Sequence, residues 1–134
     1  MRTRKQILIV DDEADQLQTI RRGLFLLGID CLTACDCDEA LSQLSPSAGE
    51  RIDLLLTDLT MPGKSGAQLV ERARELRPDL PVMVITGLAL SSEVMAIRAL
   101  GIPILRKPFT PEQLGRAIDA LLPATQREES GEAT

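Results

Sequence analysis

The sequence of 134 residues contains no histidine, tryptophan or tyrosine, and only two phenylalanines. Without histidine it cannot be a Ser-His-Asp or Cys-His hydrolase, a tris-histidine zinc enzyme or a phosphohistidine carrier. Whatever chemistry it performs rests on carboxylates, lysines and hydroxyls. Long apolar runs are also missing: none approaches the roughly 18 residues that would cross a bilayer. The basic start at Met1–Lys5 leads straight into a short strand, without a signal peptide's apolar region or small-residue cleavage site. A cytoplasmic location is the expectation, with no membrane insertion. Basic residues are outnumbered, fifteen against twenty acidic ones, for a net charge of −5. Bulk neutralisation of nucleic-acid phosphates, and with it direct nucleic-acid binding, is therefore not expected. Cysteines are few: Cys31, Cys35 and Cys37 cluster without metal-ligand partners. The strand-compatible spacing of Cys31 and Cys35 reads as small apolar residues in a reducing compartment.

The sequence does have the means to build a core. At 44% hydrophobic and 26% charged it is a folding chain, and its length suits one domain. Ile7–Val10 is a continuous apolar run ended by two aspartates, the pattern of a strand buried on both faces. Leu17, Ile20, Leu24 and Leu27 follow at helical spacing, and Gly28 stops that helix. Asp30–Ala34 reads as a second strand. Asp36 and Glu39 form a capping-box start for a helix carrying Ala40, Leu41 and Leu44. Residues 45–50 read as loop and Ile52–Thr57 as a third strand. A helix through Leu69, Ala73 and Leu76 closes at Arg77-Pro78. Pro81–Thr86 is a fourth strand, followed by a helix marked by Val94, Ile97 and Leu100 and ended by Gly101. Ile102–Leu105 is a fifth strand. Thr110-Pro-Glu-Gln113 starts the last helix, which turns Leu114, Ile118 and Leu121 to the core. Residues 1–122 thus form one domain, and 123–134 are expected to be a disordered acidic tail.

Five strands alternating with five helices specify a parallel sheet covered on both sides, a doubly wound α/β fold. Such sheets bind ligands beyond the carboxyl ends of their strands. Those positions hold Asp11 and Asp12, Asp58, Thr86 and Lys107. Carboxylates converging on one rim repel one another unless a cation joins them, and Mg2+ suits a few carboxylates with water and a phosphoryl oxygen. A lysine and a hydroxyl supply what a phosphoryl group needs next, and a carboxylate can itself attack phosphorus. Each element alone has a plain reading as turn, cap or strand exit. Their joint occurrence on four strand ends favours Mg2+-assisted phosphoryl transfer onto an aspartate. Gly63-Lys64-Ser65 is not a P-loop, because the glycine needed five residues before Gly63 is Asp58.

The stretches ILIVDDE (7–13), IDLLLTDLTMPGKSG (52–66), VMVITG (82–87) and LRKPF (105–109) together resemble bacterial two-component response-regulator receiver domains. The likeness runs from about Lys5 to Leu122. It implies a flavodoxin-like sheet of order 2-1-3-4-5. It also implies that Asp58 is the phospho-acceptor, and that Asp12, Asp58 and the Thr60 main-chain carbonyl hold Mg2+, with Asp11 helping through water. Lys107 would neutralise the phosphoryl oxygens, ahead of a cis bond to Pro108. Thr86 would move to hydrogen-bond the phosphoryl group, giving a conformational readout. The implied donor is a histidine kinase or histidine phosphotransfer protein. The signal would pass to a downstream protein effector or a parent hybrid kinase, and phosphorylation-dependent dimerisation is left open. TDLTMPGKSG and LRKPFTPEQL resemble the receivers of hybrid sensor kinases more than those of DNA-binding regulators. With no helix-turn-helix segment, a stand-alone or terminal receiver without a DNA-binding output domain is expected.

Some positions depart from the family pattern. Ile104 stands where many receivers carry an aromatic switch residue, and the segment containing Pro103 is about one residue short. Thr60 and Leu88 should flank the phosphoryl group, and an apolar Leu88 suggests slow water attack. Phe25 and Leu26 leave the first helix too apolar, as expected of a partner-docking patch beside the site. Two other readings stay open. One is a degenerate receiver acting as a phosphorylation-independent binding module. The other is a haloacid-dehalogenase-type phosphatase, which Thr60 disfavours because it occupies the place of the second acid.

Overall fold

The computed structural model describes residues 4–59, 61, 65–87 and 91–122. Among them the apolar runs form five parallel strands: β1 (Lys5–Val10), β2 (Ile29–Ala34), β3 (Leu54–Asp58), β4 (Val82–Thr86) and β5 (Ile104–Arg106). They lie in one sheet of order 2-1-3-4-5, as the resemblance implied. Five helices flank it: α1 (Ala14–Leu26), α2 (Cys37–Leu44), α3 (Gly66–Leu76), α4 (Ser92–Ala99) and α5 (Pro111–Leu121). The expected loop at 45–50 contains a short 3-10 turn, Pro46–Ala48.

The two-residue period of a strand divides the core into two layers. Ile7 and Ile9 of β1, Leu54 and Leu56 of β3, and Met83 and Ile85 of β4 pack with Leu17, Leu24, Leu114 and Ile118 beneath α1 and α5. The alternate residues Leu8, Val10, Leu55, Val82 and Val84 pack with Leu44, Leu69, Val94 and Ile97 beneath α2, α3 and α4. Each such side chain taken from water contributes about 1.5–3 kcal/mol. With both faces covered, only the strand ends are free to carry polar side chains.

Helix starts are specified by short side-chain signals. Thr110 accepts from the Gln113 N–H, and the Gln113 side chain accepts from the Thr110 N–H, completing the expected capping box ahead of Pro111. Asp36 accepts from the Glu39 N–H at 2.7 Å. The Glu39 carboxylate, however, reaches one residue further back, to the Cys35 N–H at 2.8 Å. Gly28 and Gly101 adopt positive φ after α1 and α4, the left-handed stop that glycine allows without a Cβ clash.

Several expected boundaries shift. The fifth strand begins at Ile104 instead of Ile102, because Pro103 has no N–H to donate; its carbonyl still accepts from the Val84 N–H at 3.0 Å. The third strand runs Leu54–Asp58, so Asp58 is its last residue, and Asp53 instead exchanges hydrogen bonds with the backbone of Gln6. Leu27 leaves the core stripe of α1 as its C-cap and is 46% exposed. Cys35 is exposed past the end of β2, whereas Cys31 is half-buried and Cys37 buried. The expected tail at 123–134 lies outside the described residues.

Burial pushes the Cys31 thiol up to about 12, the nearby Arg21 and Asp30 having smaller opposing effects. A thiol stays protonated and unreactive well below its pKa. Iodoacetamide at pH 8 is therefore expected to alkylate Cys35 in the native protein and all three cysteines after denaturation, as read by peptide mass spectrometry.

Candidate functional site

β1 pairs with β2 on one side and β3 on the other, so the sheet switches direction at its carboxyl edge between β1 and β3. Ligands of open α/β sheets bind at such a point. Asp11 directly follows β1 there, and its N–H donates to the Ala34 carbonyl of β2 at 3.1 Å. Asp58 ends β3 opposite Ile85 of β4. The next N–H, that of Leu59, donates to the Ile85 carbonyl at 2.8 Å. Thr86 ends β4 fully buried, and its carbonyl accepts from the Lys107 N–H at 2.9 Å. The expected residues Asp11, Asp12, Asp58, Thr86 and Lys107 thus come to one edge. The Lys107-Pro108 bond is cis.

Charge organises the side chains. Asp11 and Asp58 are buried, Asp12 is exposed, and each offers a carboxylate oxygen within 4.8 Å of the others. Lys107 Nζ donates to Asp58 Oδ2 at 3.0 Å and lies 3.7 Å from Asp11 Oδ2. Asp11 Oδ1 accepts from the Glu13 N–H at 3.0 Å, while its buried Oδ2 has no hydrogen-bond partner. Burial raises the Asp11 carboxyl above its ordinary range; the charges of Asp58 and Asp12 add to that, while the Glu13 N–H and Lys107 oppose it. Burial acts to lower the Lys107 ammonium, but its hydrogen bond to Asp58 and the charges of Asp58, Asp11 and Glu13 outweigh this and raise it.

These residues fit Mg2+. A hard dication takes oxygen ligands. Here three carboxylates converge and one sealed oxygen lacks a donor, so the site favours added positive charge. Sequence reasoning missed two contributors. Glu13 orients Asp11 through its backbone N–H, and Gly66 abuts the Asp58 carbonyl. The residue types alone carry no signal for either. Thr60 and Leu88, expected to flank a phosphoryl group, lie outside the described residues. Ile104 opens β5 opposite Val84, and its half-buried aliphatic side chain packs on the α2–α4 side of the core.

One placement is corrected. Phe25 and Leu26 are exposed, at 59% and 80%, but do not lie beside the site. Phe25 is about 16 Å along the α1 axis from Ala14, at the opposite end of the sheet. There its carbonyl accepts from Arg4 Nη2 at 3.0 Å, and the Arg4 guanidinium lies 4.8 Å from its ring centre. A helix packed on a parallel strand carries its C-terminal residues away from the strand's carboxyl end. The part of α1 that adjoins the site is its first half, where Asp15, Gln16 and Thr19 line a cavity of about 350 Å³ with Lys107, Pro108 and Phe109.

Residues 7–119 match the family described as the response regulator receiver domain. The chain is 33% identical over 129 residues to the response regulator MprA of Mycobacterium bovis, an alignment covering 96% of this chain and 55% of MprA. The chain thus spans about half the length of this curated relative. A CheY-like receiver domain protein from Methanospirillum hungatei superposes with a TM-score of 0.82 at 28% identity, covering 96% of this chain and all of that one. The receiver domain of the hybrid histidine kinase CckA superposes with a TM-score of 0.72 at 33% identity, covering 87% of this chain and 98% of that one. No helix among the described residues is long and apolar enough to cross a membrane.

Urea unfolding tests these placements. Asp11→Asn should stabilise the metal-free protein at pH 7, because a carboxyl raised by burial favours the neutral form. That advantage should shrink as pH falls through the raised Asp11 value, where the wild type gains its proton while folded. Mg2+ at a hundredfold excess over Kd should stabilise the wild type by about 2.7 kcal/mol and the variant much less. Leu26→Glu, at an exposed position, should change stability by no more than about 0.5 kcal/mol in the same measurement.

Proposed function

The chain belongs to the response-regulator receiver family of two-component systems, and from that premise we propose that it accepts a phosphoryl group on Asp58. Receivers of this family interact with histidine kinases and output domains. The donor proposed here is the phosphorylated histidine of a kinase or phosphotransfer protein. The observation that carries the reading is the pairing of Asp58 Oδ2 with Lys107 Nζ at 3.0 Å inside a convergent carboxylate group.

The transfer follows from what each side chain can do. An Asp58 carboxylate oxygen attacks phosphorus in line with the phosphorus–nitrogen bond to the donor imidazole. The new P–O bond gives an acyl phosphate, the P–N bond breaks, and its electron pair stays on that imidazole nitrogen; the proton already on the other ring nitrogen lets the donor leave as neutral histidine. Asp11, Asp12 and Asp58 would hold Mg2+, which when bound offsets the charge of the phosphoryl oxygens. Lys107 stays protonated, partners one of those oxygens and exchanges its contact with Asp58 for one with the phosphoryl group. Little covalent work is asked of the protein; positioning and charge neutralisation dominate phosphoryl transfer. The donor approaches over the cavity between Asp15, Gln16 and Thr19 of α1 and the Pro108–Phe109 segment.

Thr86 is the proposed reporter. It is buried at the end of β4, and its backbone is bonded to Lys107. A hydroxyl donating to the phosphoryl group couples acceptor chemistry to β4 and β5, and the altered surface then controls a protein partner. Catalysis is limited to the domain's own phosphorylation and dephosphorylation. The aliphatic Ile104 favours a second reading, a receiver that binds its partner without phosphorylation, because no aromatic ring can follow Thr86 inward.

Intact-mass spectrometry after incubation with acetyl phosphate and Mg2+ separates the two. One added phosphoryl group is expected, lost with chelator and in Asp58→Ala. No addition, under conditions that phosphorylate a control receiver, would leave the binding-module reading in its place.

A further inference from the structure

Gly66 is the first residue of α3, and its N–H donates to the Leu59 carbonyl at 2.9 Å. Nothing in its conformation demands glycine, since it sits in an ordinary helical turn. Space does. A Cβ at this position would lie 2.2 Å from the Asp58 carbonyl oxygen and 2.8 Å from the Leu59 Cα. Both are backbone atoms that cannot swing aside. The α3 start is itself fixed by the reciprocal capping of Ser65 and Gln68 and by the buried Leu69 and Val70 just beyond. On the other side the Asp58–Leu59 peptide is pinned to β4 by the Leu59 N–H on Ile85. The acceptor's backbone is thus clamped between a sheet strand and a helix start.

We propose that Gly66 is a positioning residue for the acceptor: by leaving no atom between α3 and the Asp58 carbonyl, it sets where the Asp58 carboxylate stands relative to Asp11, Asp12 and Lys107. This deepens the phospho-acceptor reading and rests on it. Restoring an ordinary 3.4 Å contact from 2.2 Å requires a displacement of about 1.2 Å. The carboxylate oxygens converge within 4.8 Å, and the Lys107 contact is 3.0 Å, so a shift of that size disrupts both. The substitution offers a separable test, because alanine is the better helix former and should not weaken α3 itself.

The test compares the full chain with Gly66→Ala and Gly115→Ala. Gly115 is a buried helix glycine on α5, where a Cβ would meet only the tip of the Leu27 side chain at 3.0 Å, so it controls for added bulk. Four quantities are read: urea unfolding, Mg2+ affinity, the acetyl phosphate reaction rate at saturating Mg2+, and the Leu59 amide resonance without metal. Gly66→Ala is expected to unfold cooperatively, to move the Leu59 resonance, to bind Mg2+ more weakly and to react on the order of 10- to 100-fold more slowly. Gly115→Ala should match the wild type. Wild-type affinity and rate in Gly66→Ala, or an equal loss in Gly115→Ala, overturns the proposal. If Gly66→Ala does not fold, Ser65→Ala decides, since it loosens the α3 start without adding an atom. A slower reaction with a moved Leu59 resonance supports the proposal, and wild-type values overturn it. If the wild type takes no phosphoryl group, the functional reading fails by itself, and the Leu59 shift and Mg2+ affinity still judge the geometric claim.

Discussion

The structure turns on an imbalance of charge at one sheet edge: among the described residues three carboxylates meet one ammonium, and two of the carboxylates are buried. Repulsion of this kind is weak in water and strong where water is excluded. Burial, reinforced by the neighbouring charges of Asp58 and Asp12, raises the Asp11 carboxyl, while the contact with Asp58 and the carboxylate charges raise the Lys107 ammonium. Such an arrangement lowers stability locally and persists only because the two apolar layers around the sheet are continuous and tightly packed. The same imbalance makes the site receptive to a divalent cation.

Backbone connections bind Asp58, Thr86 and Lys107 into one unit. Asp58 pairs with Ile85, Leu59 donates to Ile85, and Lys107 donates to Thr86. These are short links between neighbouring parallel strands, not a chain of loose side chains. The ends of β4 and β5 are thereby tied through the backbone to Asp58. On the opposite side the α3 start presses on the same peptide. Asp58 is held by main-chain groups, which move less readily than rotamers.

The two ends of α1 have different characters. Its N-terminal half carries polar residues beside Lys107 and the cis Pro108. Its C-terminal end exposes Phe25 and Leu26 beyond the amino edge of the sheet, with Arg4 across the ring. Helical periodicity identifies an outward-facing residue but says nothing about which end of the sheet it lies near. The direction of the preceding strand supplies that second coordinate.

The continuous apolar runs and the aspartates after them determined the sheet, its two covered faces and the edge where Asp11, Asp12, Asp58, Thr86 and Lys107 meet, because strand burial and strand exit are local patterns of residue type. Thr110 and Gln113 likewise specified a helix start through hydrogen bonds three residues apart. Ser65 and Gln68 carry the same signal ahead of α3. Other features came only with tertiary packing. The buried Asp11 oxygen without a hydrogen bond depends on which groups surround it after β1, β3 and β5 come together. The need for glycine at position 66 depends on a helix meeting the backbone of a strand eight residues earlier. Steric exclusion and desolvation are properties of neighbours, and the neighbours are chosen by the fold.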